Sequence, residues 1–473
     1  MRRPPAPVII RMPRISLTAA IGAIVMLMAS CHPLSDLKTP DTAMPTAYGI
    51  GARDSAVFNS SEWNLMFTDT TLRTMIDRAL TYNKEILMAA SRLEEVRQLY
   101  GITGADYMPN IDATVRGERE TKWYHDGSDS DPAPDPQVGV KVHIGWEYNL
   151  MGKLGYARRQ AEAEYHATAE DLRAVRLLIA TQVASTYYKL LAQNAVLNIT
   201  RNTLATREES MNKARLRFEA GLTSELVFLQ AQTEYLATQS LIPELQKEAD
   251  TYRTALHILM GEFPTDSVWE IHPKLISKSA PELPAGVPSE LLKRRPDLMA
   301  SAHRLEASAQ AVGVAYADRF PSLQLDFTFG FWNDRFPQLF KSFYYYPLGA
   351  VTGTVFDFGR KKRIHKAAVE RYEQARLQYE QNILTAFGEV KDASLNYSSA
   401  HETTVSKRTF LTTAQNYLNL ANMQYHAGTL SYLDVLDAQR RLFDAEIGLC
   451  NALRDEYLAC IDLYKALGGG IIH

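Results

Sequence analysis

Hydrophobic residues follow two different periods along this chain, and the periods alternate. Beyond Trp63 apolar residues recur at steps of three and four, which predicts a helix capped by Asp69 or Thr70. Residues 111–148 then alternate apolar and polar positions around a proline-rich turn, which predicts a β-hairpin. From Met151 the helical spacing returns without proline for more than sixty residues. The pattern predicts helix, hairpin and a very long helix.

The second half of the chain repeats this order. Gly359 corresponds to Gly152 at an offset of 207, and Pro321 corresponds to Pro109 at an offset of 212. Such self-similarity indicates a duplicated structural unit. The predicted segments are a first repeat at 63–262 with its hairpin at 111–148, a proline-rich linker at 263–288, a second repeat at 289–468 with a hairpin at 323–357, and a tail at 469–473.

One turn motif occurs in both repeats. Residues 217–232 read RFEAGLTSELVFLQAQ and residues 424–439 read QYHAGTLSYLDVLDAQ. In each copy a glycine, Gly221 or Gly428, ends a helical pattern and a serine precedes the next one. Glycine after a helix accepts the left-handed conformation of the C-cap, and serine caps the following helix. The motif therefore predicts a tight helical turn in each repeat.

Only the second copy of the turn carries two aspartates, Asp434 and Asp437. Together with Leu433 they lie at spacings of three and four residues and so share one helix face. In a symmetric assembly the aspartates of that face would form a ring of carboxylates, which favours cations. A solvent-exposed helix face, or capping of the restarted helix, explains the aspartates equally well from the residues alone.

The N-terminus is typical of an export signal. Four arginines precede an apolar run at residues 15–28, and small residues lead into Cys31. This order resembles a bacterial lipoprotein signal, which implies cleavage before Cys31 and lipidation of its thiol. The interpretation gives a signal peptide at 1–30 and a lipidated tether at 31–62. An ordinary secretory signal or a membrane anchor is the alternative.

Composition and motifs exclude several classes of function. The 51 basic and 54 acidic residues are nearly balanced, so no nucleic-acid partner is expected. Cys450 and Cys460 lie about 15 Å apart along a predicted helix, too far for a disulfide. The eleven histidines form no metal-ligand spacing, and Gly152-Lys153 lacks a phosphate-binding loop. We therefore expect neither an enzyme nor a cofactor nor a metal site.

Four predicted strands have consequences for assembly. A membrane-spanning sheet must close, because an open edge cannot be satisfied in lipid. Two copies of the chain give eight strands, too few for an open pore, whereas three copies give twelve. Unless the strand interpretation is wrong, a hollow trimer is the simplest arrangement.

Three segments, one of them the second turn motif, resemble one known family. They are Arg294–Leu298 (RRPDL), Ala427–Gln439 (AGTLSYLDVLDAQ) and Ala466–Gly470 (ALGGG). Together they resemble the TolC-type outer-membrane efflux proteins, in the lipoprotein branch that serves resistance-nodulation-division pumps. The resemblance implies a mixed α and membrane β-barrel fold. Its trimer has a 12-stranded outer-membrane barrel, four strands per chain, continuous with a long α-helical periplasmic tunnel.

The resemblance also implies location, partners and site residues. A Gram-negative outer membrane holds the lipid-anchored trimer, which meets a periplasmic adaptor protein and an inner-membrane pump. The family's aperture positions correspond to Tyr425, Leu433, Asp434 and Asp437 here. Leu430 stands where TolC has an arginine, so we expect a closed state based on apolar and carboxylate rings rather than salt bridges.

The function predicted in this way is a passive exit duct for drugs or other small toxic compounds. One alternative is the duct of a type I protein-secretion system, which has the same fold. The lipoprotein signal and Arg294–Leu298 favour the small-molecule branch. The other alternative is a periplasm-spanning structural lipoprotein, a coiled coil without a pore. The sequence does not specify the cargo.

Overall fold

The computed structural model describes residues 34–35, 37–43, 45, 69–118, 137–265, 280 and 291–469. The predicted signal peptide, Cys31 and most of the predicted linker lie outside these residues. The chain divides into two compact units. Of the described residues, the first unit comprises those within 1–39, 99–163 and 305–375, and the second comprises those within 40–98, 164–304 and 376–473.

Corresponding helices of the two predicted repeats have the same length, namely 22, 67 and 35 residues in turn. A 67-residue helix measures about 100 Å at 1.5 Å per residue. None of the described helices has an apolar stretch long enough to cross a bilayer. The helices are α1 Thr70–Tyr82, α2 Lys84–Ala105, α3 Lys153–Glu219, α4 Glu225–Leu259, α5 Leu291–Arg294, α6 Pro296–Ala317, α7 Arg360–His426 and α8 Tyr432–Ala466.

The first unit contains one antiparallel sheet in the order β1-β2-β3-β4. The two hairpins join through β2 and β3, with Val142 opposite Phe329. The edges of β1 and β4 have no strand partner among the described residues. The strands are β1 Asn110–Glu118, β2 Gln137–Asn149, β3 Ser322–Asn333 and β4 Phe343–Thr352, with a 3₁₀ turn at Phe336–Lys341.

The second hairpin differs from the sequence prediction in its last strand. The alternation pattern suggested a strand at residues 348–356, whereas β4 runs from Phe343 to Thr352. Pairing of Phe331 with Phe343 sets this earlier start. Aromatic residues favour strands and cross-strand aromatic pairs stabilise them, so residues 343–346 extend the strand rather than the turn.

The register places apolar residues on one face of the sheet. In one row Val115 pairs with Val140, which pairs with Phe331, which pairs with Phe343. In the neighbouring row of the opposite face, Lys141 lies between Thr114 and Gly330. Side chains alternate between the faces of a sheet, so the apolar face is continuous across all four strands.

Helix packing forms the core of the second unit. Tyr187 and Leu190 of α3, Leu256 of α4 and Ile461 of α8 are fully buried. The rings of Tyr188 and Tyr457 stack with centroids 4.2 Å apart. Helices of this length are stabilised by such lateral packing rather than by intrinsic propensity.

A break at Asn83 divides the first predicted helix into α1 and α2. Asp69 caps α1 by accepting a 2.9 Å hydrogen bond from the Thr71 amide, as one of the two predicted caps. The Asn83 side chain accepts from the Glu85 amide and donates to the Leu259 carbonyl, 2.8 Å away. Asparagine thus ends one helix and caps the next.

Candidate functional site

Both predicted turn glycines adopt the left-handed conformation, with φ of 72° at Gly221 and 76° at Gly428. The Leu222 amide donates to the Arg217 carbonyl at 2.8 Å, and the Thr429 amide donates to the Gln424 carbonyl at 3.0 Å. In each bond the donating amide lies five residues after the accepting carbonyl. This pattern defines a Schellman C-cap at the ends of α3 and α7. The duplicated motif therefore builds the same turn twice.

The two turns restart their second helices differently. Asp434 accepts hydrogen bonds from the Ser431 amide at 3.2 Å and from the Ser431 hydroxyl at 2.6 Å. The corresponding pair in the first copy is Ser224 and Val227, and Ser224 makes no side-chain cap. Acceptance of the N-cap amide by the third helical residue is one half of a capping box. The Asp434 carboxylate therefore caps α8, which was one of the alternatives left open by the sequence.

Leu433 and Asp437 lie one helical turn apart on α8, and both are partly open to solvent. Leu433 is 50% exposed in the single chain. Asp437 accepts a 2.9 Å hydrogen bond from Arg441, four residues further on. The bond and the charge of Asp437 raise the pKa of Arg441 above its ordinary value. The predicted carboxylate face thus carries its own cation, which the sequence analysis missed.

Tyr425 links the second turn to the first. Arg217, at the end of α3, donates a 2.8 Å hydrogen bond to the Tyr425 hydroxyl. The Tyr425 ring packs with Leu418 and Leu430 against a small buried cluster of Ala421, Val435 and Ala438. Leu430 therefore serves packing, while Arg217 supplies a cation from the other repeat.

A second link between the two helical hairpins centres on Glu234 of α4. Its carboxylate lies 3.1 Å from Arg207 of α3 and accepts a 2.8 Å hydrogen bond from Nε of Arg440 of α8. The side chains of Glu234 and Arg207 are only 12% and 7% exposed. Arg207 also bonds to Thr238 and lies over the Phe443 ring, 5.3 Å from its centroid.

Because Arg207 is buried, the stability of this charge cluster depends on each of its charged members. Burial lowers the pKa of Arg207, although the nearby Glu234 carboxylate opposes that shift. The hydrogen bond to Glu234 raises the pKa of Arg440. Removing one partner of a buried ion pair leaves an uncompensated charge, so the three residues depend on one another. Helical spacing alone does not reveal such a contact, because the members lie on three different helices.

The structure brings the predicted site residues into one neighbourhood within the second unit. Tyr425, Leu433, Asp434 and Asp437 all lie at the end of α7 or on the first turns of α8. Cys31 lies outside the described residues. Across residues 69–118, 137–265 and 291–469, no group of three or more histidine, cysteine, aspartate or glutamate side chains could hold a metal ion.

Comparison with known proteins identifies the wider group. The chain is 28% identical over 463 residues to the toluene efflux pump outer membrane protein TtgC of Pseudomonas putida, covering 95% of each chain. It is 28% identical over 464 residues to the cation efflux system protein CusC of Escherichia coli, covering 94% of this chain and 97% of that protein. A crystal structure of CusC matches with a TM-score of 0.82 at 27% identity, covering 92% of this chain and 99% of that chain.

These matches confirm the predicted fold class, long helices combined with four antiparallel strands per chain, and the prediction of an outer-membrane efflux protein. The group comprises channel-forming efflux proteins rather than enzymes. A sequence profile of outer membrane efflux proteins matches residues 75–262 and 287–469, which is most of the chain. The chain therefore belongs to the outer membrane efflux protein family.

Proposed function

We propose that three copies of this chain form a passive exit duct of a tripartite efflux pump. The carrying observation is the four-stranded sheet, whose apolar face is continuous and whose edges, β1 and β4, have no strand partner in the described chain. Three copies joined edge to edge make a closed sheet of twelve strands with its apolar face towards lipid. The polar face, with Lys141 and Asp326, then lines the passage.

Exposed apolar side chains on the long helices support the same assembly. In the single chain Leu216, Leu384 and Leu420 are at least half exposed. Contact with a neighbouring chain is one way to remove such apolar side chains from water. In our proposal neighbouring copies cover part of this surface and complete a helical tunnel. The Gly221 turn lies at the end of that tunnel. There a periplasmic adaptor protein connects the tunnel to an inner-membrane pump.

The gate of the duct lies at the Gly428 turn. In our proposal Leu433 and Asp437 from three copies narrow the passage with one apolar and one charged ring. Arg217–Tyr425 and the Glu234 cluster hold the second helical hairpin against the first within each copy. Opening requires the two hairpins to separate, so these contacts set the resting state. Asp434 acts on the stability of the turn rather than on the passing ions.

The position of Lys38, near the first described residues, is consistent with a lipid anchor at Cys31. The Tyr372 hydroxyl donates a 2.7 Å hydrogen bond to the Lys38 carbonyl. Tyr372 lies about 18 Å along α7 from its first residue. Seven residues separate Lys38 from Cys31, and an extended chain of that length reaches about 24 Å. The anchor can therefore reach the level at which α7 begins. Loss of palmitate labelling in Cys31→Ala is the expected test, and retained labelling contradicts it.

The duct is tested by reconstituting the purified full chain into planar lipid bilayers. We expect trimers by native mass spectrometry and a small resting conductance that rises when the gate contacts are removed. Monomers without conductance contradict the proposal. Cargo is tested by deleting the gene and measuring sensitivity to drugs, metal ions, bile salts and dyes. Loss of peptide secretion with unchanged sensitivities would instead favour the protein-secretion duct.

A further inference from the structure

The segment between β4 and α7 exposes an aromatic pair. Val355, Phe356 and Phe358 are 100%, 74% and 85% exposed. The two phenylalanine rings contact each other edge to face, with centroids 4.6 Å apart. Phe358 has a φ of 54°, a left-handed conformation that is unfavourable for a bulky side chain. The chain thus bears a backbone cost while holding two aromatic rings away from its own core.

Four cations follow immediately. The side chains of Arg360, Lys362, Arg363 and Lys366 are exposed and make no ion pair or hydrogen bond within the described part of the chain. The first turn of α7 contains no acidic residue. Cations at the start of a helix are disfavoured by the helix dipole, so the fold of the single chain gives no reason for four of them here. The helix end itself is already capped, because Asp357 accepts the amides of Gly359 and Lys361 at 2.9 Å.

The cations in the first turns of α3, the equivalent helix of the first repeat, all have partners within the chain. Lys153 pairs with Asp318, and Arg159 donates a 3.0 Å hydrogen bond to Gln310. Arg158 donates to the Tyr100 hydroxyl at 3.5 Å. The start of α3 therefore carries basic residues whose side chains bond within the chain. The start of α7 pairs Lys361 in the same way but leaves the other four basic residues without such a bond.

The cations also occupy the outward side of α7. Lys361 contacts Asp318, His365 contacts Tyr316 through its ring, and Ala368 is buried. These residues follow each other at steps of four and three, so they form one packed face. The four unpartnered cations lie on the remaining sides of the same turns. An exposed basic surface next to exposed aromatic residues is the pattern of proteins that lie on anionic membrane surfaces.

We propose that residues 355–366 form a lipid-binding element for anionic phospholipids of the periplasmic leaflet. Phe356 and Phe358 lie at the boundary between acyl chains and headgroups, and the four cations bind headgroup phosphates. The inference rests on the proposed placement of the sheet in the outer membrane. It goes beyond conduction, since it assigns a lipid class and a position to one junction. Residues 355–366 follow directly on β4, which ends at Thr352 and which the proposed duct places in the bilayer, and their four unpartnered cations match anionic headgroups.

The test uses native mass spectrometry of the full-length trimer with equal amounts of phosphatidylglycerol and phosphatidylethanolamine. We expect the unmodified protein to retain phosphatidylglycerol with a preference of roughly tenfold. Replacing Arg360, Lys362, Arg363 and Lys366 by glutamine should reduce the preference to near equality. The matched control replaces four other exposed cations by glutamine and should retain it: Lys84, Arg92, Lys247 and Lys391.

Three outcomes overturn the proposal. They are an undiminished lipid preference in the quadruple glutamine variant, an equal loss in the control, and dissociation of the trimer without a change in preference. If the glutamine variant does not fold, Arg360→Lys together with Arg363→Lys keeps the charge and should keep the preference. Conductance is recorded on the same samples. A conducting trimer without lipid preference contradicts only this inference, whereas a protein that does not conduct contradicts the proposed duct.

Discussion

Arg217 donates a hydrogen bond of 2.8 Å to the hydroxyl of Tyr425, although 208 positions separate the two residues. Each lies in the last turn of a 67-residue helix, immediately before a glycine-capped turn. The bond therefore connects the two copies of the duplicated motif through residues that differ between the copies. A symmetric repeat has thus acquired an asymmetric contact, at the place where we propose the gate.

The first prediction concerns this bond. Tyr425→Phe removes only the hydroxyl and should raise the resting conductance in planar bilayers by about twofold to tenfold. That range corresponds to the 0.5–1.5 kcal/mol that a typical hydrogen bond contributes. Arg217→Ala should have a similar effect, and the double variant should add little, because both changes remove the same contact. Tyr417→Phe on the same helix is the control and should conduct like the unmodified protein.

The second prediction concerns the buried charge cluster. Glu234→Ala should lower the free energy of unfolding by about 3 kcal/mol or more, because it leaves Arg207 buried without its anion. Arg440→Ala should cost about 1 kcal/mol or less, since the Arg440 side chain is largely exposed. Urea denaturation of the detergent-solubilised protein measures both values. Glu244→Ala, an exposed residue of the same helix, serves as the control. Equal effects of all three substitutions would show that the cluster is not the critical contact.

The third prediction separates the two aspartates of the second turn. Asp437→Ala should reduce the preference for cations, because it removes a carboxylate from the proposed ring and leaves Arg441 without its partner. Asp434→Ala should leave ion preference nearly unchanged and destabilise the start of α8 by about 1 kcal/mol, the usual effect of losing a helix cap.

Reversal potentials under a salt gradient measure ion preference, and hydrogen exchange of the α8 amides measures local stability. If Asp434→Ala changes the reversal potential as much as Asp437→Ala does, the capping assignment does not describe its role. If neither substitution changes the reversal potential, the proposed ring is not the constriction.

The sequence predicted the order of elements because periods of 3.6 and 2 are visible in it directly. Gly221 and Gly428 were predictable as turns, since a left-handed cap strongly favours glycine. The contacts of Glu234 were not, because a buried carboxylate on a helix gives the same local pattern as an exposed one. The break at Asn83 was also missed, since it depends on a bond to Leu259, 176 positions away. Contacts between distant elements leave no periodic signal.

The role of the Arg294–Leu298 motif leads to the last prediction. Arg295 is largely buried and bonds to both carboxylate oxygens of Asp297, at 3.0 and 2.7 Å. It also lies 2.6 Å from Glu389 of α7 and donates to the Ala466 carbonyl at the end of α8. One guanidinium thus connects the start of α6 with two other helices. Burial alone would raise the pKa of Asp297, but its bonds to Arg295 and to the Leu298 amide lower it below the ordinary value.

A carboxyl whose pKa is lowered by folding stabilises the folded state at pH values above its unfolded pKa, near 4. That contribution is lost as the pH falls through the lower, folded value. We therefore expect Asp297→Asn to lower the melting temperature at pH 7 and to flatten its decrease between pH 5 and pH 3. Asp250→Asn, at an exposed carboxylate that pairs with Arg253, should leave the profile unchanged. A profile that is equally steep with and without the Asp297 carboxylate would place the acid-sensitive group elsewhere. In that case Arg295 connects the three helices through Glu389 and the Ala466 carbonyl alone.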